Sequence, residues 1–543
     1  MKDKKNYILL LILIVASFLR IYSLFNVPPS ASLDEASIGY NAYSILKTGA
    51  DEYGNKFPLL LRAYDDWRPA LYVYLVIPFV QLFGLNVLAV RLPSVILSIL
   101  TVLASYFLVK ELFKNHSKFK IYNLEFDVPL VSSLLLAISP WHIYISRLGH
   151  EANAGLAFFI FALLFFLKKS VYVSFIFFTL SFISYQSEKI FIPLFILFVF
   201  IIFWKEILVI KRKIIIASII SLIILIPFMK ETLAPNALIR FNATNVFNTR
   251  NDFSDKEVLI FAKAVESNDL VGKVLHNRRT VAVEIFFQNY IAHFNPIWLF
   301  SNLSDDKHKV SGLGLLYFWE LPLIIIGLFF LLRKKIDSKV KKIIIAWILI
   351  APIPGAITTD APHAMRIYTM LPIPQILSAL GLVQIFNYIN YKLSKIIFLG
   401  FFSIIILSVI YFYIQYFQVF PKTQSSSFQY ALSQAIPFVL KNQKSYNEIT
   451  FSNRDNLFQS YMFFLFYSKY DPEIYQRQGG TVSGGFEESH NFSKYSFRNI
   501  NWSMEKKESD IVYVGNIRDF PKNATSVATF KYLDGEKAII IVN

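Results

Sequence analysis

The stretch Leu33-Asp34-Glu35-Ala36-Ser37-Ile38-Gly39-Tyr40-Asn41-Ala42-Tyr43 opens with two adjacent carboxylates. It follows closely on an apolar segment, Tyr7 to about Phe25, whose amino-terminal flank is Met1-Lys2-Asp3-Lys4-Lys5. That segment is long enough to cross a bilayer. It exceeds a signal-peptide core and lacks a convincing small-residue cleavage site, so it reads as a retained anchor. Asp34 and Glu35 therefore stand in a polar loop at a membrane surface. Ile38, Ala42 and Ile45 recur at helical spacing behind them. Two readings stay open here: acids complementing the dipole of a helix start, or carboxylates that do chemistry.

The rest of the chain fits a membrane setting. Its 543 residues are 55% apolar and 17% aromatic with only 17% charged, which is a polytopic membrane composition. The net charge of +17 sits in short clusters between apolar runs: Lys110 to Lys120, Lys168-Lys169, Lys205 to Lys213 and Arg333 to Lys342. Such clusters are the positive-inside signal of cytoplasmic loops, which excludes nucleic acid as the partner they imply. With no cysteine, neither disulfides nor thiolate metal sites exist.

Runs of crossing length fall near 7–25, 90–109, 128–146, 152–167, 171–187, 189–204, 213–229, 313–332, 342–359, 364–386 and 394–417. The run Pro69 to Phe83 is a twelfth candidate. A full crossing there would turn every later basic cluster outward, so it is expected to be interfacial or re-entrant. The expected fold is thus an α-helical polytopic membrane protein of about eleven transmembrane helices over 1–419, N-terminus cytoplasmic, in the plasma membrane. Outer loops at 26–68 and 230–312 and a small extracytoplasmic α/β domain at 420–543 complete it. Within that tail, Gln429 to Leu440 and Asn456 to Tyr467 look helical. Asp510 to Val514 looks like a strand, and Thr525 to Val542 a hairpin about Asp534-Gly535.

Several outer segments carry polar groups suited to chemistry. In Tyr64-Asp65-Asp66-Trp67-Arg68-Pro69-Ala70-Leu71-Tyr72, Arg68 either snorkels to headgroups or holds a phosphate bidentately. In Ser146-Arg147-Leu148-Gly149-His150-Glu151-Ala152, Glu151 either caps a helix or faces a ligand. In Thr358-Thr359-Asp360-Ala361-Pro362-His363-Ala364-Met365-Arg366, a helix start is expected, with His363 and Arg366 on one face of an anion site. No metal-ligand spacing and no glycine-rich phosphate loop is present, so no metal site is assigned.

Taken together these segments resemble the multi-spanning glycosyltransferases of the GT-C fold that use lipid-phosphate-linked sugars, the family 39-type group of protein O-mannosyltransferases and bacterial aminoarabinose transferases. The resemblance runs along nearly the whole membrane portion. It rests on Asp34-Glu35, on Arg68-Pro69-Ala70-Leu71-Tyr72 where the group carries a Lys-Pro-Pro-Leu-Tyr-like segment, and on Arg91-Leu92-Pro93-Ser94 and Ser146 to Glu151. It continues through Tyr185 to Pro193, Gly314 to Pro322 and Thr358 to Arg366. Arg68 replaces the usual Lys, Ala70 a Pro, and Glu151 an Asp found in many relatives. The tail does not match the outer domain of the eukaryotic mannosyltransferases.

The resemblance implies transfer of a hexosyl or pentosyl group from a dolichyl- or undecaprenyl-type polyprenyl-phosphate sugar to a hydroxyl on an acceptor protein, lipid or glycan, with inversion at the outer face. Asp34 would be the general base, worth roughly 10²–10⁴-fold, and Glu35 would orient it or a neighbouring loop group. Arg68, His363 and Arg366 would hold the carrier phosphate, with Arg240 a further candidate, while His150 and Glu151 would face the sugar. The reaction admits a divalent cation without demanding one. Two other functions share these features: a ligase or polymerase of lipid-linked glycans, and a polytopic transporter or flippase.

Overall fold

The computed structural model describes residues 2–543 except 65, 115–117, 122–123, 249–254, 302, 304–307, 334–335 and 486–487, and it leaves undescribed the side chains at 2–3, 120–121, 124, 236, 240, 255–256 and 391. A backbone in lipid must satisfy its own hydrogen bonds, and the apolar runs accordingly fold as helices. Among the described residues four helices are long and apolar enough to cross a membrane: Val87–Leu112, Lys211–Thr232, Tyr368–Tyr388 and Lys392–Gln424. The pair Val128–Ile138 and Pro140–Ser146, bent by 56° where Pro140 interrupts the run, makes a fifth if counted as one span. The count of eleven is not reached by these spans; of the other expected runs, two form shorter apolar helices, Glu151–Leu167 and Val171–Phe182. The segment set aside as interfacial forms the 13-residue helix Leu71–Phe83.

Lys211–Thr232 and Lys392–Gln424 leave most of their apolar surface outside the protein, with only 17% and 11% of their most apolar stretches buried. Ile219, Leu222, Ile223 and Ile226 on the first and Leu399, Leu407 and Ile410 on the second are exposed. An apolar surface of that extent calls for lipid, not water.

The chain forms two compact units, one of Met1–Ser17, Ser98–Ile145 and Ala152–Ser408, the other of Phe18–Leu97, Ser146–Glu151 and Val409–Asn543. In the first, Glu320–Arg333 and Ile373–Tyr388 approach so closely that a Cβ on Gly327 would lie 1.9 Å from the Leu377 carbonyl oxygen, and one on Gly381 2.2 Å from that of Leu323. Small residues at such crossings let helix backbones meet. Phe159 sits in the core of this unit with its ring edge-on to Phe191, Phe195 and Trp347.

The second unit contains the helix α1 (Leu33–Thr48), the hairpin β1 (Leu60–Ala63) and β2 (Asp66–Pro69), the helix α2 (Leu71–Phe83), and the tail. The tail builds a six-stranded sheet in the order His490–Phe492, Tyr495–Phe497, Glu448–Phe451, Ile511–Gly515, Lys537–Val542, Ser526–Lys531. Glu448–Phe451 runs parallel to both neighbours and the other pairings are antiparallel. The helices Tyr430–Asn442 and Ser460–Ser468, the strand at 511–515 and the closing hairpin all lie where the sequence pattern places them. Gly39 of α1 faces Phe466 of the tail and Val90, where an added Cβ would come within 2.5 and 2.8 Å.

Candidate functional site

The carboxylate pair splits into two different environments because consecutive residues of a helical first turn point in different directions. Ser32 caps α1: its Oγ accepts the Glu35 N–H at 3.2 Å, and Glu35 Oε2 accepts the Ser32 N–H at 2.8 Å. This reciprocal capping box fixes where the helix begins. Asp34, between them, keeps a half-exposed carboxylate.

Glu35 is buried and saturated. Arg91 donates from Nε to Oε1 at 2.7 Å and from Nη2 to Oε2 at 3.0 Å, and the Gly149 N–H reaches Oε1 at 2.8 Å. The remaining Arg91 donors go to the carbonyls of Leu24 at 2.9 Å, Pro28 at 3.0 Å and Ser30 at 2.6 Å. A buried ion pair tolerates desolvation when its other hydrogen-bonding capacity is filled in this way. The pair thereby pins the 24–30 loop, the start of α1 and the 146–151 turn to one point. Arg147 reinforces that turn by donating to the carbonyls of Leu19, Arg20 and Val27 at 3.1, 2.8 and 2.7 Å, with its guanidinium over the Phe417 and Tyr416 rings.

Asp34 faces Arg68, with Oδ1 3.2 Å from Nη1; the Arg68 side chain is 7% exposed and that of Asp34 52%. The β-hairpin delivers Arg68, and Tyr64 at its turn ties it to α1 by donating to the Leu33 carbonyl at 2.9 Å. Burial works against the Arg68 charge, but Asp34 and then Glu151 outweigh it and hold the guanidinium firmly cationic. Its Nη2 is buried with no hydrogen-bond partner among the described residues, an orphaned charged donor that an incoming oxyanion would satisfy. Glu151 is 4% exposed and begins the helix Glu151–Leu167. His150 Nδ1 lies 3.8 Å from its Oε2.

His363 and Arg366 belong to the other compact unit. The expected helix start there is not formed: residues 358–367 make irregular turns, and helix resumes only with Tyr368–Met370 and Ile373–Tyr388. Pro362, Pro372 and Pro374 cannot donate to a helical ladder, which accounts for the correction. The two side chains converge on Asp360 all the same. Arg366 Nη1 donates to Thr358 Oγ1 at 2.5 Å and to the Asp360 carbonyl at 2.9 Å, and Asp360 Oδ2 lies 3.7 Å from His363 Nε2. The His363 N–H donates to His293 Nε2 at 3.2 Å, while His293 Nδ1 bonds the Asn289 carbonyl at 2.7 Å. A carbonyl only accepts, so Nδ1 carries the proton; Nε2 accepts the His363 N–H and carries none, which is the neutral tautomer. Burial accordingly pushes its pKa down to about 4.

Arg240 lies in the short helix Ile239–Thr244, and its side chain is outside the described residues. Among the described residues no cluster of three or more His, Asp or Glu side chains is arranged to hold a metal ion. Two buried charged residues of the unit that holds Asp34 were given no role in the sequence reading. Arg91 carried a signal, a cation inside an apolar run, which demands a buried partner. Glu52 carried none. It is 1% exposed and bound by Asn41 Nδ2 at 3.0 Å and Thr481 Oγ1 at 2.7 Å.

No family model matches the sequence, and no curated protein matches it. The structure is similar to that of ArnT from Cupriavidus metallidurans bound to undecaprenyl phosphate, with a TM-score of 0.52 and 11% identity over 98% of this chain and 97% of that one. The apo form of the same protein aligns with a TM-score of 0.44 and 9% identity over 100% and 98%. The first likeness shows a common fold, mostly helical with a β-sheet region at the C-terminal end.

Proposed function

We propose that the chain is an integral-membrane glycosyltransferase that moves one sugar from a polyprenyl-phosphate carrier to an acceptor hydroxyl with inversion. It would act from the plasma membrane with 420–543 on the outer face and about eleven crossings over 1–419. The observation that carries this reading is the Asp34–Arg68 pair: a half-exposed carboxylate held 3.2 Å from a buried guanidinium whose second nitrogen is unsatisfied. A fold shared with a protein whose structure holds undecaprenyl phosphate supports the choice of donor.

The chemistry follows from the two environments. The carrier phosphate takes the Arg68 guanidinium, which loosens the Asp34–Arg68 pairing and leaves the Asp34 carboxylate open to the acceptor. The acceptor hydroxyl gives its proton to Asp34 as its oxygen bonds to the anomeric carbon. The bond from that carbon to the phosphate oxygen breaks on the opposite face, and the phosphate leaves with the electron pair under the guanidinium charge. Because the leaving group is stabilised by a fixed cation, a second carboxylic acid of the glycosidase kind is not required. Glu35 acts as a positioning residue through Arg91 and Gly149. Arg366, with His363 beside it, supplies a second turn suited to phosphate.

The test is transfer of labelled sugar from a crude polyprenyl-phosphate fraction in membranes containing the wild type or Arg68→Gln. Transfer that falls with Arg68→Gln and recovers in part with Arg68→Lys supports the reading. Equal transfer in all three removes Arg68 from the reaction.

A further inference from the structure

The tail carries a cleft of about 1080 Å³, away from Asp34 in sequence, between the 499–503 loop, Arg454 and the 518–524 strap. We propose that it binds an acidic oligosaccharide.

Each wall is fixed. Arg498 grips Glu505 with two bonds of 2.6 and 2.7 Å, and Glu505 also accepts the Asn501 N–H at 3.2 Å, so the 498–505 loop is closed on itself. On the strap, Asn516 accepts the Arg518 N–H at 3.2 Å and donates its own N–H to Asp519 at 2.8 Å. Asp519 is buried and holds Arg454 at 3.1 Å. A site whose walls are already ordered does not lose that order on binding.

The lining matches a saccharide. Trp502 is half-buried, set edge-on against Phe520 at 5.2 Å and Tyr513 at 5.6 Å, which fixes an aromatic ring at the cleft. An aromatic of that kind has an apolar body for the C–H face of a sugar ring and an N–H for its hydroxyls. Asn499 and Asn523 line the cleft with exposed amides, each a donor and an acceptor as a hydroxyl requires. The charge selects an acidic ligand. Arg454, Arg518 and Lys507 line the cleft with one acid, Asp519, among the described residues; Arg454 is paired with Asp519 at 3.1 Å and Arg518 with Asp455 at 3.5 Å, which leaves Lys507 as the cation open to a ligand. Lys507, 5.5 Å above the Trp502 ring, has no carboxylate partner among the described residues. A carboxylate on a sugar stacked at Trp502 therefore meets an unneutralised ammonium.

The full chain in nanodiscs of neutral phosphatidylcholine, without donor, is titrated against a labelled hexasaccharide of alternating glucuronate and N-acetylglucosamine, and against neutral maltohexaose, by fluorescence anisotropy. The acidic hexasaccharide is expected to bind, with about tenfold or greater weakening by Lys507→Gln and by Trp502→Ala and for the neutral probe. Lys507 is exposed and its variant folds regardless of how Trp502→Ala fares. No binding up to about 1 mM, binding indifferent to both variants, or equal binding of the neutral probe overturns the proposal. Since no donor is present, each of these results leaves the transfer reaction at Asp34 untouched, and loss of that reaction leaves this result standing.

Discussion

Glu35 and Arg91 meet in a two-pronged ion pair, with contacts of 2.7 and 3.0 Å in an environment from which water is excluded. The pair joins the start of the helix that presents Asp34 to the 146–151 turn that presents Glu151. Removing one partner leaves the other charge buried. Glu35→Leu should destabilise the protein by about 3–5 kcal/mol and abolish transfer. Combining it with Arg91→Met should recover stability without recovering transfer. Thermal unfolding of the purified protein in detergent, alongside a transfer assay, separates the two effects.

Arg68 should act on the donor. Loss of a charge-assisted hydrogen bond to phosphate is worth about 1.5–3 kcal/mol, so Arg68→Gln should raise the donor KM by roughly 10- to 100-fold. Arg68→Lys retains the charge and should fall between, because a single ammonium cannot reproduce the fork geometry. Donor titration at saturating acceptor measures this. A KM unchanged in Arg68→Gln would place the phosphate elsewhere.

Glu52 gives the unit that holds Asp34 a pH dependence. Burial raises its pKa from 4.5 to about 7, opposed by bonds from the neutral groups of Asn41, Thr481 and Tyr461. The folded state binds the proton more tightly than the unfolded chain. Its contribution to stability is therefore full below pH 4.5, declines as pH rises through 7, and is absent above. The amplitude is on the order of 3 kcal/mol. Melting temperatures of the wild type should fall across that window, and those of Glu52→Gln should lack this component. Identical profiles would show that Glu52 is not the group responsible.

Gly149 tests the turn itself. A Cβ there would lie 2.5 Å from Val90 Cγ1 and 3.0 Å from the Val90 carbonyl oxygen. Gly149→Ala should force the turn away, break the bond from the Gly149 N–H to Glu35, and cost about 1–3 kcal/mol. Transfer should drop with it. Full activity in a protein of unchanged melting temperature would show that the turn position is immaterial.

The sequence reveals the membrane character and most tail elements, because apolar runs and strand alternation are local signals. Residues 364–367, expected to be helical from their apolar run, are irregular turns behind Pro362, because apolar length alone does not register a helix breaker. The division of labour between Asp34 and Glu35 was half legible: Ser32 followed three residues later by Glu35 is a capping-box pattern, and it assigns Glu35 inward. The partners Arg91, 56 positions away, and Gly149, 114 away, could not be read locally. Nor could Glu52, whose partner Thr481 lies 429 positions on. Pairings at that range are set by tertiary packing alone.

The central claim is that Asp34 removes the acceptor proton. Transfer of radiolabelled sugar from polyprenyl-phosphate donors, in membranes with matched amounts of wild type and Asp34→Asn, tests it most directly. Asn is isosteric and leaves the capping box and the Glu35–Arg91 pair intact, so donor binding should persist while transfer falls by about 10²–10⁴-fold. Equal transfer by the two proteins would contradict the account and remove Asp34 as the base.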